Sequence, residues 1–388
     1  MANITKRGNS YLIRCSAGYT LDGKQIFKSS TFKPALGLTP KQEEKALNEA
    51  VVLFEKRVKT GQVLDGKIRF ADFADKWIAD YGEEHLAPKT LTRYKEILPM
   101  INNAIGNIQL EKLQPHHFLE YYKFLGKTKS KRTGRKYSDS TIYFHHRIIS
   151  TILSTALKWQ VIFDNPIRRI APPKIAHKEA KYLDVEQVKA FINALDSQDI
   201  KYKTAFVLSI YSGFRRGELL GLKWADVDWE NKEITMSKTI QYLPDRGIFE
   251  KEPKTYSSNR KIALPPTVMS LLKEYQTYQK AERLKVGDRW QDKDYIFTQW
   301  DGSPMHPDTL SGRFKSIAKK LNFPKGTTLH SLRHTSATLL ISSHEIDIKA
   351  ISSRLGHSKT STTMNIYAHA LQSADKQSAN VLESIIAL

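Results

Sequence analysis

Apolar and polar residues alternate along residues 10–32, near the start of the chain. Tyr11, Ile13 and Cys15 fall on one side of the first run, and a turn at residues 21–24 leads into the second run. Alternation with a period of two is typical of a half-buried strand, and the Asp-Gly pair inside the turn favours a sharp reversal. The pattern predicts a β-hairpin.

A helix is predicted directly after this hairpin. Thr39 is a suitable N-cap, Pro40 fits the first helical position and Gln42 completes a capping box. Gly61 is expected to end the helix. Its apolar stripe comprises Leu47, Ala50, Val51, Phe54 and Val58. Residues 1–62 are therefore expected to form a small sheet covered by one helix.

Residues 65–166 show only the period of amphipathic helices. The first apolar face comprises Phe70, Phe73, Trp77, Ile78 and Tyr81. Pro88 and Pro115 each stand where a helix would begin, and Ser140 begins a long helix that must end before Pro166. The apolar faces of these helices comprise Leu91, Tyr94 and Leu98, then Phe118, Leu119, Tyr122 and Leu125, then Ile142, Ile149, Ile152, Leu153, Ala156 and Trp159. We expect an all-helical domain.

Two basic segments lack any apolar period. Residues 126–136 are polar and interrupted by glycine, which indicates a basic loop between helices. Residues 167–177 combine a Pro-Pro pair with several basic side chains, which is typical of an extended connection. We expect this second segment to be an interdomain linker.

The remaining residues, 178–388, mix both periods. Helices are predicted from Asp184 and over residues 201–212, a β-rich patch over residues 234–242 and 261–264, and further helices to the end. The whole chain is therefore expected to have a multidomain α+β fold. It would contain a small sheet-plus-helix domain, an all-α domain, and a mainly α domain with a small β-sheet.

The composition indicates a polyanionic partner. The 388 residues predict two or three domains, and 61 Lys+Arg against 40 Asp+Glu give a formal net charge of +21. A folded protein with so large a positive field usually binds nucleic acid, although ordinary solubilising charge is the alternative. The basic residues near the predicted hairpin are Lys6, Arg7, Arg14, Lys24, Lys28 and Lys33. They would either face DNA or form a solvated edge.

Cys15 is the only cysteine, so an internal disulfide and a cysteine-based metal cage are both excluded within one chain. It is expected to be a small core residue of a strand. The first residues lack the apolar run of a signal peptide, and the chain lacks the run of about 18 apolar residues that a membrane span needs. We expect a cytoplasmic protein that has no membrane partner.

Six residues in the C-terminal half suit chemistry at a phosphodiester. They are Arg215, Lys254, His330, Arg333, His357 and Tyr367. Two guanidinium groups distant in sequence can converge on one phosphate, and a tyrosine can attack it. The set points to DNA strand transfer.

The first candidate lies in the string SGFRRGELLGLKW, residues 212–224. A glycine ends one predicted helix, and Arg215 and Arg216 open the next, where free backbone N–H groups favour a phosphate. Taken alone, such a string is more often a surface salt-bridge cluster. Glu218, one turn later, is expected to brace its neighbours.

The second string, TLHSLRHTSATLL, places His330 and Arg333 three residues apart on one helical face, with His334 expected to point elsewhere. The third, RLGHSKTSTTMNIYAHA, predicts a helix stop at Gly356, with His357 just past it and a tyrosine ten residues on. Taken alone, that tyrosine would be interpreted as a core aromatic.

These strings together resemble the tyrosine recombinase, or phage integrase, family. The first string resembles the pattern Thr/Ser-Gly-x-Arg-x-x-Glu, which selects Arg215 over Arg216. The second and third resemble the His-x-x-Arg box and the Leu-Gly-His and Tyr-x-His patterns. In the string EPKTYSSNRKIAL, residues 252–264, Lys254 matches the family's hairpin lysine, with Lys251 as its rival.

The resemblance implies a mechanism without a cofactor or metal. Tyr367 would attack the scissile phosphate and form a 3′-phosphotyrosyl link, while Arg215 and Arg333 neutralise the nonbridging oxygens. Lys254 would protonate the leaving 5′ oxygen and His330 would help to deprotonate the tyrosine. His357 would donate a hydrogen bond to the phosphate.

The resemblance also implies domain roles and partners. Residues 1–62 would be an arm-type DNA-binding domain, 65–166 a core-binding domain, 167–177 a linker and 178–388 the catalytic domain. Because residues 1–62 resemble the arm-binding domain of temperate-phage and conjugative-transposon integrases, their presence favours integration and excision of a mobile element, either a prophage or a conjugative transposon.

We expect the protein to act in a bacterial cytoplasm on double-stranded attachment sites, where it would form a homo-tetramer. Its expected protein partners are accessory DNA-bending or excision proteins. The tail after Tyr367 is expected to dock on a neighbouring protomer. A type IB topoisomerase and a catalytically inactive DNA-binding regulator are the alternatives.

Overall fold

The computed structural model describes most of the chain. The described residues are 2–20, 22–35, 37–59, 68–130, 133–176, 180–251, 259–357, 359–366 and 383. The chain divides into two compact units, Met1–His177 and Lys178–Leu388. Among the described residues, no helix is long and apolar enough to cross a membrane.

The N-terminal residues form a three-stranded antiparallel sheet and one helix. The elements are β1 (Asn3–Arg7), β2 (Ser10–Tyr19), β3 (Gln25–Phe32) and α1 (Pro40–Lys59). Ile13 and Cys15 of β2 pack against Phe54 and Val58 of α1. The predicted hairpin is confirmed as β2 and β3, which pair in order after β1. Strand β1 was missed because all five of its residues are exposed, so its sequence carries no apolar alternation.

The second part of this unit is all-helical in its described residues. The elements are α2 (Phe70–Trp77), a π-helical turn (Ile78–Gly82), α3 (Glu83–His85), α4 (Pro88–Ile105), α5 (Pro115–Lys127) and α6 (Asp139–Lys158), with 3₁₀ turns at Leu110–Lys112 and Pro166–Arg169. Both prolines predicted to begin helices do so, because a helix's first position needs no backbone N–H donor. Helix α6 begins one residue earlier than predicted, since Ser138 caps it by accepting a hydrogen bond from the Thr141 amide.

Two predicted core positions in this helical part are wrong. Leu119 is 45% exposed and Trp159 is 41% exposed, whereas Tyr121 is buried. On α5, Tyr121 lies three residues after buried Phe118, so the helical repeat places it on the buried face that Leu119 leaves. The buried core also includes Ile167, so it continues into the segment predicted as linker.

The second unit is mainly helical and contains two small antiparallel sheets in its described residues. Its elements are α7 (Val185–Leu195), α8 (Ile200–Ser212), α9 (Arg216–Leu220), β4 (Val227–Asp228), β5 (Glu233–Met236), β6 (Thr239–Leu243), β7 (Gly247–Lys251), β8 (Arg260–Ala263), α10 (Pro266–Val286), α11 (Pro307–Lys320), α12 (Leu329–Ser342), α13 (Ile348–Leu355) and α14 (Thr360–Ile366). Strands β4, β5 and β8 form one sheet, and β6 pairs with β7. The predicted α+β fold class is confirmed.

One large apolar core joins α7 to α12 with both small sheets, and a smaller cluster joins α12 to α13. Phe191, Phe206 and Phe314, from α7, α8 and α11, meet with ring centroids 5.6 to 6.0 Å apart in edge-on contacts. Helix α12 packs against α8 and α13, so the second and third motif strings lie next to the end of α8. This packing positions the candidate site.

Candidate active site

Arg215 lies at the N-cap of α9, directly after the left-handed turn that ends α8. Its amide donates to Glu218 Oε2 at 2.9 Å and its Nη1 donates to Glu218 Oε1 at 2.7 Å. Its Nη2 also lies 3.4 Å from the carbonyl oxygen of Gly356, and the side chain is 41% exposed. The guanidinium is therefore oriented by two neighbours and still open to a ligand.

Arg216 contacts a different part of the unit. Its Nη1 donates to Asp308 Oδ1 and to Ser311 Oγ, both at 2.8 Å, on α11. The two adjacent arginines thus contact different elements, and Arg215 contacts the third motif string at Gly356. This geometry agrees with the choice of Arg215, although the catalytic assignment itself stays a prediction.

Arg333 is a buried guanidinium that bridges two helix ends. Its side chain is 2% exposed, its Nη1 donates to the Gly213 carbonyl at 2.7 Å, and its Nη2 donates to the Leu355 carbonyl at 2.6 Å. Carbonyls at helix C-termini carry partial negative charge, so both sites favour a cation. Gly213 lies in the first motif string and Leu355 in the third. Arg333, which belongs to the second, therefore joins all three strings.

Gly213 permits this close approach. Its φ is +64°, in the left-handed region, and an added Cβ would lie 2.8 Å from Leu355 Cδ2. A larger residue would be strained by its backbone and would push the end of α13 away. The glycine in the first string is therefore required by packing as well as by the helix end.

His330 lies on α12 as predicted, but its neighbour His334 does not point elsewhere. The two imidazole rings meet edge-on, with centroids 4.6 Å apart. The prediction for His334 was wrong because residues four apart are neighbours on one helical face. Burial, followed by the positive charges of Arg333 and Arg215, lowers the pKa of His330, so it is neutral near pH 7 and can accept a proton.

His357 follows the left-handed Gly356, which ends α13 with φ +66°. Its Nδ1 lies 2.8 Å from the hydroxyl oxygen of Thr363 on α14. Burial and the nearby guanidiniums, Arg333 first, lower the pKa of His357 to about 4. Its imidazole is therefore neutral at pH 7 and presents one N–H donor.

The described part of the site contains more positive than negative charge. Glu218 is 3% exposed and receives hydrogen bonds from Arg215 and, at 2.8 Å, from Arg260 Nη2. Burial raises the pKa of Glu218, but Arg260 and Arg215 outweigh that effect, so the net pKa is lowered and the carboxylate stays ionised. Two guanidiniums pair with this carboxylate, and Arg333 adds a third positive charge at the neighbouring helix ends, an excess of positive charge that attracts an anion.

Two of the six predicted residues, Lys254 and Tyr367, lie outside the described residues. A described residue near each one in the sequence contacts the site. Arg260 of β8, which follows residues 252–258, pairs with Glu218, and Thr363 of α14, which precedes residue 367, contacts His357. Lys251, the rival to Lys254, ends β7, where its carbonyl accepts from the Thr239 hydroxyl at 3.2 Å.

Two residues of the site had no assigned role in the sequence. Arg260 stands in the string that includes Lys254, but its partners lie 42 and 94 residues away, and no local pattern reveals such contacts. His334 could have been found from its i+4 spacing to His330. Among the described residues, no group of three or more His, Cys, Asp or Glu side chains is arranged to hold a metal ion.

The phage integrase family model matches residues 181–374, half of the chain. The chain belongs to the phage integrase family. A second model, the N-terminal SAM-like domain of phage integrases, matches residues 69–126 in the helical part. The resemblance inferred from the motif strings is confirmed, and the chain is a tyrosine recombinase.

Curated integrases and recombinases are similar to this family member over different lengths. A XerC-like tyrosine recombinase of Caldanaerobacter subterraneus subsp. tengcongensis is 27% identical, and the match covers 99% of this chain and 97% of that protein. The ICEBs1 integrase of Bacillus subtilis is 29% identical over 61% of this chain and 64% of its own length. The integrase of Staphylococcus phage L54a is 33% identical over 55% of this chain and 63% of its own length.

Solved integrase structures share the fold. The Tn1549 transposon integrase in complex with transposon right end DNA has a TM-score of 0.66 at 23% identity, over 80% of this chain and 99% of that one. A lambda integrase tetramer bound to a Holliday junction has a TM-score of 0.54 at 16% identity, over 92% of this chain and 96% of that one. At these identities the likeness establishes the fold.

Proposed function

We propose that this integrase family member cuts and rejoins double-stranded DNA at specific attachment sites, and thereby integrates and excises a mobile element. The observation that carries the proposal is the group of guanidiniums around Glu218, next to neutral His330 and His357. Positive charge fixed in this way stabilises the extra charge of a pentavalent phosphate without a metal ion. The net charge of +21 supplies the longer-range attraction to DNA.

In the proposed reaction the Tyr367 oxygen bonds to the scissile phosphorus, and the bond from phosphorus to the 5′ oxygen breaks. Neutral His330 helps to remove the phenol proton, and Lys254 gives a proton to the leaving 5′ oxygen. Arg215 and Arg333 stabilise the nonbridging oxygens, and His357 donates a hydrogen bond. The phosphotyrosyl link conserves the phosphodiester's energy, so a second 5′-hydroxyl can reverse the step without a cofactor.

The helical part is proposed to bind the core of the attachment site. A cavity of about 860 Å³ in this part is lined by Arg93, Lys129, Arg135 and Lys136. Clustered lysine and arginine side chains are suited to phosphate contacts, which position a protein on a duplex. Residues 65–166 would therefore be the core-binding domain and 178–388 the catalytic domain, with 167–177 joining them.

The N-terminal sheet is proposed to bind a second, arm-type DNA site. The guanidinium of Arg14 lies 4.1 Å from the centroid of the half-exposed Phe27 ring, and Lys6 lies over Tyr11. These pairs combine charge with aromatic surface on strands β1 to β3 of residues 1–62. A solvated edge stays the alternative, and a deletion of residues 1–62 that leaves arm-site binding unchanged would support it.

Relatives named as phage and ICEBs1 integrases support the mobile-element role, and the lambda integrase tetramer on a Holliday junction supports a homo-tetramer on DNA. Strand exchange between two duplexes uses four active sites, and we propose that the tail after Tyr367 docks on a neighbouring protomer. The bacterial and phage sources of the relatives support action in a bacterial cytoplasm, where accessory DNA-bending or excision proteins would assist.

A plasmid recombination assay tests this function. Two plasmids would carry the element ends and the target junction, identified from DNA flanking the gene, and purified protein would be added with and without host extract. The expected result is exchange of flanking markers. Relaxation of supercoiled plasmid lacking any attachment site, without exchange, would instead support a type IB topoisomerase. Sequence-specific binding with no cleavage would support a catalytically inactive regulator.

A further inference from the structure

Arg260 contacts the first and third motif strings from a strand outside them. Its Nε donates to the Arg354 carbonyl at 2.7 Å and its Nη2 donates to Glu218 Oε2 at 2.8 Å. Its guanidinium carbon lies 5.2 Å from the Phe214 ring centroid, and the side chain is 7% exposed. A single buried side chain thus reaches the residue before Arg215, the carboxylate that orients Arg215, and the helix end before His357.

Gly356 shows how tightly this side chain is enclosed. A Cβ added at Gly356 would lie 2.7 Å from Arg260 Nη1 and 3.0 Å from its guanidinium carbon. The backbone leading to His357 therefore rests directly on the Arg260 guanidinium. Movement of Arg260 would displace that backbone.

Glu218 needs a cation other than Arg215. Arg215 is 41% exposed, so on the proposed function it shares its charge with a DNA phosphate, which competes with Glu218 for the same guanidinium. Arg260, in contrast, is buried and donates to Glu218 Oε2, whereas the Arg215 side chain donates to Glu218 Oε1. A buried carboxylate that lost this pair would take up a proton, and one of its oxygens would then become a donor. It could no longer accept from both the Arg215 amide and the Arg215 side chain.

We infer that Arg260 is a positioning residue for strand cleavage: it keeps Glu218 able to orient Arg215 and supports the backbone that carries His357. This inference rests on the proposed function, because the positioned groups are those assigned to the phosphate. Arg260 acts through Glu218 and Gly356 and is not itself assigned to the scissile phosphate.

The test compares Arg260→Gln, Arg260→Lys and the control Arg313→Gln. The control also removes an arginine that lies over an aromatic ring, here Tyr202, in the same unit. Single-turnover formation of the covalent adduct would be measured on a nicked suicide duplex from pH 6 to pH 9, together with DNA binding. Arg260→Gln is expected to slow cleavage by about tenfold or more at low pH, the size of one lost charge-assisted contact.

The pH dependence separates positioning from general damage. In Arg260→Gln, burial raises the pKa of Glu218, so the ratio of wild-type to variant rates should fall as pH rises and ionises that carboxyl group. Arg260→Lys, which keeps the charge, should be slowed by a factor that is nearly constant with pH. In the double variant that combines Glu218→Gln with Arg260→Gln, the ratio of the wild-type rate to the variant rate should no longer depend on pH. A ratio of one at every pH, or a constant ratio unaffected by Glu218→Gln, would overturn the inference.

A second measurement does not depend on cleavage. If wild-type protein forms no adduct, the proposed function fails, and melting temperatures without DNA still test the Arg260 contact. The deficit of Arg260→Gln relative to wild type should grow as pH rises from 4 to 7, because the native state then holds a proton that the unfolded state has released. The deficit should lose this pH dependence in the Glu218→Gln background, and a flat deficit in the single variant would contradict the inference.

Discussion

Replacing Arg215 with Gln is expected to slow DNA cleavage by about 10³-fold with little loss of stability. Removal of one fixed donor to a transition state commonly costs about 10² to 10³ in rate, and an arginine at a transferring phosphoryl group can contribute more. At about 1.4 kcal/mol per tenfold, the expected loss is about 4 kcal/mol of transition-state stabilisation. The Arg215 side chain is 41% exposed, and Glu218 keeps its pair with Arg260. The loss of folding stability should therefore stay below about 1 kcal/mol.

Arg216→Gln is the matched control, because it removes the same charge from the adjacent residue. Its guanidinium contacts Asp308 and Ser311 on α11, which lie outside the motif strings. We expect its cleavage rate to stay within about twofold of wild type and its stability to fall by less than about 1 kcal/mol. The assay is single-turnover adduct formation on a nicked suicide duplex, with urea unfolding and DNA binding measured in parallel.

Three results would refute this reasoning. An equal loss in both variants would mean that the cleavage defect follows total positive charge and not the position of Arg215. A rate within tenfold of wild type for Arg215→Gln would mean that its guanidinium does not stabilise the transition state. Loss of folding in Arg215→Gln alone would show that its pair with Glu218 contributes far more than an exposed pair should.

Three further predictions concern the surroundings of the site. Gly356→Ala should lower the melting temperature and slow adduct formation, because a non-glycine residue at φ +66° is strained by about 1 kcal/mol and its Cβ would crowd Arg260. Glu250→Gln should lower unfolding free energy by about 1 kcal/mol at pH 7, because Lys223, Tyr295 and Lys238 hydrogen bond this carboxylate and lower its pKa to about 2. The difference in unfolding free energy between wild type and Glu250→Gln should shrink only as pH falls from about 4 towards 2. Urea unfolding at several pH values would measure it. Burial lowers the pKa of His145 from 6.5 to about 4. Acidification to pH 5 should therefore lower the free energy of unfolding by about 2 kcal/mol through this residue. In His145→Gln, the free energy of unfolding should depend less on pH in that range.

Helix boundaries could be predicted where the sequence contains a local signal. Pro88 and Pro115 begin helices because proline fits the first helical position. Gly213 and Gly356 end helices because each adopts a left-handed backbone. Such signals depend on neighbouring residues only, so no tertiary information is needed.

Short strands lacked such a signal. Strand β1 is fully exposed, and β4 has two residues, so neither repeats an apolar position often enough to show a period. Strand β7 is half-exposed along most of its length, so buried and exposed positions do not alternate in it. It pairs with β6, most of which lies in the predicted β-rich patch. Their pairing depends on partners elsewhere in the chain.

The candidate site was partly predictable for the same reason. The spacing of His330 and Arg333 on one helix is a local property, but the choice of Arg215 over Arg216 needed the family pattern. The contacts of Arg333 with Gly213 and Leu355 span 120 and 22 residues, so only the folded chain reveals them. Arg260 is a further case, since its hydrogen-bond partners Glu218 and Arg354 lie 42 and 94 residues away, in two different motif strings.

Covalent trapping at Tyr367 tests the central claim most directly. Wild-type protein would be incubated with a nicked suicide duplex bearing its attachment site, and the adduct would be digested and mapped by mass spectrometry. We predict a phosphotyrosyl link from Tyr367 to the DNA 3′ end, and its complete loss in Tyr367→Phe with DNA binding within about twofold of wild type. A phenylalanine variant that still forms the adduct, or an adduct mapped to another residue, would contradict the assignment of the nucleophile.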